Sequence, residues 1–202
     1  MRPRGQTRRR MVTATVRLLR RHGLHGTGLQ DVLEESGAPR GSLYFHFPGG
    51  KEQLVREAVD LAGERGEEWM GRWLESAPTA AAAFAGMLEE YAVLLETSAF
   101  ATGCPVAAVA LDLGAEPGPL QDACGRALDR WSAQLAKRLR AEGADAAGAS
   151  ERALAAIAAF EGALLVGRAR RDASAVRAVA ARAEALLASN QGPGGRPVRP
   201  DP

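Results

Sequence analysis

Apolar residues recur along this chain at intervals of three and four, and no stretch alternates as a strand does. Val12, Thr15, Val16 and Leu19 fall at i, i+3, i+4 and i+7, flanked by Met11 and Leu18, with arginines on the opposite face. That spacing predicts a helix over residues 7–22, stopped by Gly23. Leu29, Val32 and Leu33 predict a short second helix over 29–35, with Thr27 placed to cap it. Ser36-Gly37-Ala38 reads as a turn. Pro39 suits the first position of a third helix running to His46, because its missing N–H has no partner there anyway.

The later pattern is longer in wavelength. Helices are expected over 51–75, 79–97, 104–113, 120–142, 150–170 and 173–188, separated by Pro- or Gly-containing breaks. Gly63, Gly66 and Gly71 each weaken the fourth helix by about 1 kcal/mol relative to alanine, so bending or close helix contacts are expected there. The expectation is an all-α protein of about nine helices, an N-terminal three-helix head on a C-terminal helical body. Its boundaries are a disordered basic tail over 1–6, a head over 7–51, a body over 52–189 and a Gly/Pro-rich disordered tail over 190–202.

Composition agrees with helices: alanine is abundant and aromatics are 5%. Charge is informative only by position. Residues 1–51 hold ten Lys/Arg and three Asp/Glu, a net +7; the rest holds 16 and 21, a net −5. A basic end on an acidic body suits a protein whose one end meets phosphates. Cys104 and Cys124 sit in no metal-binding or redox spacing, so two free thiols and no metal are expected. No apolar stretch is long enough for a membrane span, and the N-terminus lacks a signal-peptide core, which points to the cytoplasm.

Two short helices joined by a glycine turn, the second carrying small, hydroxyl, aromatic and basic residues, have the layout of a helix-turn-helix. The major groove is about 12 Å wide and accepts one helix. Arg40 can donate two hydrogen bonds to a guanine edge or pin a phosphate. Gly41 removes bulk, and Ser42 can bond a base edge or a phosphate. Tyr44 and Phe45 offer apolar contact, and the Tyr44 hydroxyl can reach a phosphate. His46 and Lys51 can hold backbone phosphates, Lys51 beside the N-terminus of the fourth helix. Leu43 should face a small core with Val12 and Val32. The competing explanation is a plain helical hairpin with Tyr44, Phe45 and Phe47 as core aromatics.

Residues 7–54 resemble the N-terminal domain of TetR/AcrR transcriptional regulators. The likeness rests on Gly26-Thr27-Gly28-Leu29-Gln30-Asp31-Val32, on Ser36-Gly37, and above all on Gly41-Ser42-Leu43-Tyr44-Phe45-His46-Phe47-Pro48. The link Pro48-Gly49-Gly50-Lys51-Glu52 and the segments 103–111 and 161–165 resemble the LmrA/YxaF-like subgroup. The resemblance implies a homodimeric repressor, released from a palindromic DNA operator by a small, commonly aromatic effector, with no cofactor. The expected DNA contacts are Thr27, Gln30, Arg40, Gly41, Ser42, Tyr44, Phe45, His46 and Lys51.

By the same resemblance an effector pocket lies among the middle helices. Its candidates are Trp69, Met70, Trp73, Met87, Tyr91, Leu95, Cys104, Val106, Val109, Trp131, Phe160, Glu161 and Leu164, against the plainer reading that they fill the core. Glu161 stands out as a carboxylate among apolar neighbours, to orient a ligand or pair with an arginine. Ala153, Ile157, Val176, Val179, Ala183 and Leu187 on the last two helices are candidates for a four-helix dimer interface. An enzyme is disfavoured: the three histidines, at 22, 25 and 46, all lie in the head, and no catalytic constellation is visible. A nonspecific nucleoid protein would bind random and palindromic DNA alike, whereas a regulator prefers its site by about a thousandfold or more.

Overall fold

The computed structural model describes residues 4–115 and 117–188. Among them the chain forms ten α-helices and one short 3-10 turn, with no strand. The helices are α1 (Arg4–His22), α2 (Leu29–Ser36), α3 (Leu43–His46), α4 (Gly50–Ser76) and α5 (Ala80–Thr97). They continue as α6 (Pro105–Leu111), α7 (Pro119–Ala141), α8 (Ala146–Arg170), α9 (Ser174–Ala180) and α10 (Ala183–Leu187). The 3-10 turn is Arg40–Ser42.

α1 begins within the stretch expected to be a disordered tail, and the expected tail over 190–202 lies outside the described residues. The last expected helix is two pieces, broken around Ala181-Arg182, which raises the count from nine to ten.

The head closes on Met11, Leu19, Val32, Leu43, Phe47 and Leu54, each at most 2% exposed. Thr15 is buried with them and donates its hydroxyl to the Met11 carbonyl, 2.8 Å away. α2 ends where Gly37 turns left-handed (φ +59) and Ala38 N–H reaches back to the Leu33 carbonyl. Arg10 donates to the Gly37 carbonyl at 2.7 Å, which ties that turn to α1. Several arginines expected to form a free outer face are therefore engaged: Arg8 pairs with Glu57 at 2.6 Å and Arg17 with Glu35 at 2.7 Å.

α4 is one unbroken helix of 27 residues, so its glycines mark close approach rather than a bend. A Cβ on Gly66 would lie 2.6 Å from the Trp131 indole of α7, and one on Gly63 would lie 2.9 Å from Ala127. The Trp131 Nε1 donates to the Gly63 carbonyl at 2.9 Å, fixing the ring in the groove those glycines open. Arg138 closes the far end of α4. Its guanidinium reaches the carbonyls of Leu74, Ala77 and Pro78, and its Nε meets Glu142 at 2.6 Å. α9 and α10 pack on α5 and α8 of the same chain, and Arg177 pins α9 to Glu89 and Glu96.

Candidate functional sites: a DNA-reading head and an aromatic-walled cavity

The reading element is shorter than the sequence pattern predicts. Pro39 is extended (φ −61, ψ 139), so it precedes the helix rather than opening it. Arg40–Ser42 is a 3-10 turn, and only Leu43–His46 is α-helical. Gly41 explains the tighter start, since glycine has little preference for the α-helix. Across this element the faces divide cleanly. Leu43 and Phe47 point into the core, while Tyr44 and Phe45 are 65% and 67% exposed. Burying such rings would be favourable, so leaving them in water marks a contact surface. The helical-hairpin alternative holds for Phe47 and fails for Tyr44 and Phe45.

Gln30, Arg40 and Gly41 are exposed on the same head, and His46 and Lys51 are half-buried at its edge. The Gln30 amide donates to Glu34 at 2.9 Å. The Ser42 hydroxyl donates to the Pro39 carbonyl at 2.6 Å, a local bond at the surface of the turn. Thr27 is corrected in both expected roles. It is 1% exposed and donates its hydroxyl to the Gly23 carbonyl at 2.7 Å. It therefore presents no surface to DNA and does not cap α2. The α2 N-terminus is stabilised instead by Asp31, which accepts from Gly28 N–H at 3.0 Å.

A cavity of about 560 Å³ lies in the body between α1, α4, α5, α7 and α8. Trp69, Met70, Met87, Tyr91, Cys104, Trp131, Phe160 and Glu161 line it, as expected from the sequence. Trp69, Tyr91 and Phe160 meet edge to face, with centroids 5.1–6.3 Å apart, which gives the cavity one aromatic wall. Five candidates lie elsewhere. Leu95, Val106, Val109 and Leu164 are sealed in the core, at most 2% exposed, because they sit on the sides of their helices turned away from the cavity. Trp73 lies behind the wall, against Gly86, and shares Glu90 Oε2 with Trp69 through indole N–H bonds of 2.8 and 3.0 Å.

Arg20, Arg65, Phe84, Glu90, Thr97 and Ile157 also line the cavity and had no sequence signal as a group. They come from four helices whose register against one another is a tertiary property. Ile157 is the informative case: expected at a dimer interface, it borders both the cavity and the groove between α6 and α8.

Of the other interface candidates, Ala153, Val176, Ala183 and Leu187 are at most 5% exposed within one chain, which leaves them little surface for a partner, while Val179 is half-buried against the same core. In the body, exposed apolar side chains lie on the opposite face of α8, on α6 and, at Val93, on α5. Leu111, Leu154 and Leu165 are 67%, 60% and 53% exposed around a shallow groove floored by Ala158 and Gly162.

Glu161 and Cys104 border both the cavity and this groove. Burial pushes the Glu161 carboxyl up to about 7, opposed only by a hydrogen bond with Cys104. Its Oε2 is enclosed without a hydrogen-bond partner, so the arginine pairing considered from sequence is not made. Burial, and then Glu161, push the Cys104 thiol well above its ordinary range. Cys104 serves structurally as the N-cap of α6 and Cys124 is buried, so both are thiols rather than reactive thiolates.

α6 joins cavity to head. At its N-terminal side Gly103 N–H donates to the Arg20 carbonyl at 3.0 Å, and Arg20 Nε returns a bond to the Gly103 carbonyl at 3.1 Å. At its C-terminal end the Asp112 carboxylate accepts from Leu24 N–H at 2.7 Å and His25 N–H at 3.3 Å, and the Asp112 carbonyl meets His25 Nε2 at 3.1 Å. Gly23, at φ +70, leaves room: a Cβ there would stand 2.7 Å from Asp112 Oδ2. Sequence reasoning missed Asp112, since its partners are backbone amides far away in the chain.

This is the architecture of a helix-turn-helix transcriptional regulator with a helical body, and relatives carry the same description. Residues 12–58 match the family described as bacterial regulatory proteins, tetR family. Residues 80–182 match the transcriptional regulator LmrA/YxaF-like C-terminal domain. The chain is 39% identical over 170 residues to an uncharacterized HTH-type transcriptional regulator of Mycobacterium tuberculosis, covering 82% of this chain and 86% of that one. It is 34% identical to the HTH-type transcriptional regulator LmrA of Bacillus subtilis, covering 80% and 86%. A TetR regulator from Chloroflexus aurantiacus superposes with a TM-score of 0.73 at 25% identity, covering 93% of this chain and 96% of that one. The TetR-family regulator CifR, solved with a 26-bp double-strand operator, superposes at 0.71 and 25% identity, covering 86% and 93%. The chain belongs to the TetR family of transcriptional regulators, in its LmrA/YxaF-like branch. No described helix is long and apolar enough to cross a membrane.

Proposed function

We propose that this chain is a homodimeric repressor that leaves a palindromic operator when a small aromatic effector enters the body cavity. The observation that carries the reading is the pairing of two features in one chain. A reading element exposes Tyr44 and Phe45, and an aromatic cavity in the body is linked through α6 to the head that bears that element. The groups that do meet in the cavity, Glu161, Cys104 and Tyr91, include an unreactive neutral thiol and a neutral phenol, which favours binding over catalysis.

The second copy docks on the groove of Leu111, Leu154, Leu165, Ala158 and Gly162. Small residues there let two α8 helices approach closely, and the leucines around them exclude water. One seven-residue reading element contacts too few bases for specificity, so two-fold symmetry is required to read a site. The effector then acts by population shift. It favours the state in which the two heads no longer match successive major grooves, about 34–36 Å apart. α6 is the link, because its N-cap lines the cavity and both its ends are bonded to α1 or the turn after it. α4 moves with α6, since the Arg8–Glu57 pair ties it to the head and Trp69 places it on the cavity wall.

Footprinting on the promoters beside the gene, with the wild type and Tyr44→Ala, tests this reading. A protected palindrome that the variant loses at unchanged melting temperature is the expected result. Equal binding of random and palindromic DNA identifies a nonspecific binder and ends the proposal.

A further inference from the structure

We propose that the effector is an aromatic cation, an amine carried on a flat apolar body, and that Glu161 receives its charged nitrogen. This rests on the reading of the cavity as an effector site and adds the ligand's charge and its anchor.

A carboxylate taken out of water needs a partner, and Glu161 has none of adequate strength. Its Oε2 is enclosed and unbonded. The groups around it are accounted for. Cys104 on the α6 N-cap is a neutral thiol, and Tyr91 on α5 is a neutral phenol whose own ionisation is pushed up by burial. Arg20 on α1 gives its Nε to the Gly103 carbonyl and makes no ion pair with Glu161, and Glu90 on α5 is held by the two indoles. Arg65 on α4 is an exposed residue at the cavity's edge, and Arg168 on α8 borders the groove rather than the cavity. No basic group of the described residues neutralises Glu161; its ionisation responds to burial and Cys104 alone.

The rest of the cavity suits the remainder of such a molecule. Trp69, Tyr91 and Phe160 present a cluster of ring faces and edges beside Glu161, and aromatic faces attract cations. Met70 and Met87 adapt to flat guests. About 560 Å³ accommodates a two- or three-ring compound. A neutral hydroxyl would satisfy only a hydrogen bond, whereas an ammonium also neutralises the charge, and in a medium of low dielectric the second effect dominates.

The experiment is isothermal titration of the full-length protein with naphthylmethylamine, naphthylmethanol and naphthoate, which share a ring system and differ in head-group charge. The amine should bind most tightly. Its affinity should rise roughly tenfold from about pH 6 to about pH 8, as a carboxyl titrating near 7 ionises. Glu161→Gln should weaken the amine about tenfold, abolish its pH dependence and leave naphthylmethanol within twofold of wild type. Equal binding of amine and alcohol, or preference for naphthoate, overturns the proposal while leaving the cavity as an effector site. Loss of naphthylmethanol in the variant makes Glu161 a structural residue and also overturns it. Failure of all three ligands to bind wild type removes the effector reading itself, and this inference with it.

Discussion

Asp112→Ala is the perturbation that most directly tests how the body holds the head. The carboxylate accepts one short bond, from Leu24 N–H at 2.7 Å, and one near the outer limit, from His25 N–H at 3.3 Å. A hydrogen bond to a charged group contributes about 1.5–3 kcal/mol net, and the longer one adds little. Both amides lie near the surface and regain water when the acceptor goes, which limits the cost. The expected loss is about 2 kcal/mol, or roughly 4–8 °C in melting temperature for a chain of this size. Asp112→Asn keeps an oxygen acceptor without the charge and should lose about half as much.

Function should separate from stability in this variant. The head surface is untouched, so operator affinity should hold, while the effector's power to weaken operator binding should fall by about tenfold. Thermal melts, amide exchange at Leu24 and His25, and operator titrations with and without effector read the three quantities. Unchanged melting together with unchanged protection of those two amides would refute the clamp. Full coupling in a variant that melts early would refute α6 as the link.

Glu161→Gln should change the pH dependence of stability. The carboxyl rises from 4.5 to about 7 on folding, so the folded state binds its proton more tightly and stability declines as pH climbs through that window. The variant lacks this decline and should be more stable above pH 7, by up to about 3 kcal/mol, with the advantage gone below about pH 4.5; parallel urea curves for the two proteins would disprove it. Gly66→Ala improves helix propensity by about 1 kcal/mol but drives a methyl into the Trp131 ring at 2.6 Å, so a net loss of about 1–2 kcal/mol in urea unfolding is expected, and a gain would show the α4–α7 contact to be loose. Leu165→Asp places a charge on the exposed face of α8 and should yield monomers by light scattering without lowering the protomer's helix content; a persistent dimer would move the interface elsewhere.

Much of the head was legible because its chemistry is local. A turn at Gly37, a core-facing Leu43 and an outward Tyr44 follow from neighbours within one turn, whereas the opposite fates of Phe45 and Phe47 needed the packed head. The misreadings there were local competitions. Thr27 satisfied its hydroxyl on the Gly23 carbonyl instead of capping α2, and Gly41 tightened the third element into a 3-10 start.

The body divides differently. Periodicity determined that its segments are helices and roughly where they end, since glycine, proline and apolar spacing act over a few residues. It did not determine which way each helix faces, because α8 is apolar on two sides. Ala153, Phe160 and Leu164 look inward, Leu154 and Leu165 look outward, and Ile157 and Glu161 border a cavity. A helix apolar all round has no preferred side until its neighbours press on it. The cavity, the Asp112 clamp and the unpaired Glu161 all depend on contacts between residues on different helices, far beyond one turn in the chain, or on the lack of a partner. Sequence by itself therefore determined the helices and the DNA-reading element, and tertiary packing alone decided which faces are buried, which stay exposed and which line the cavity.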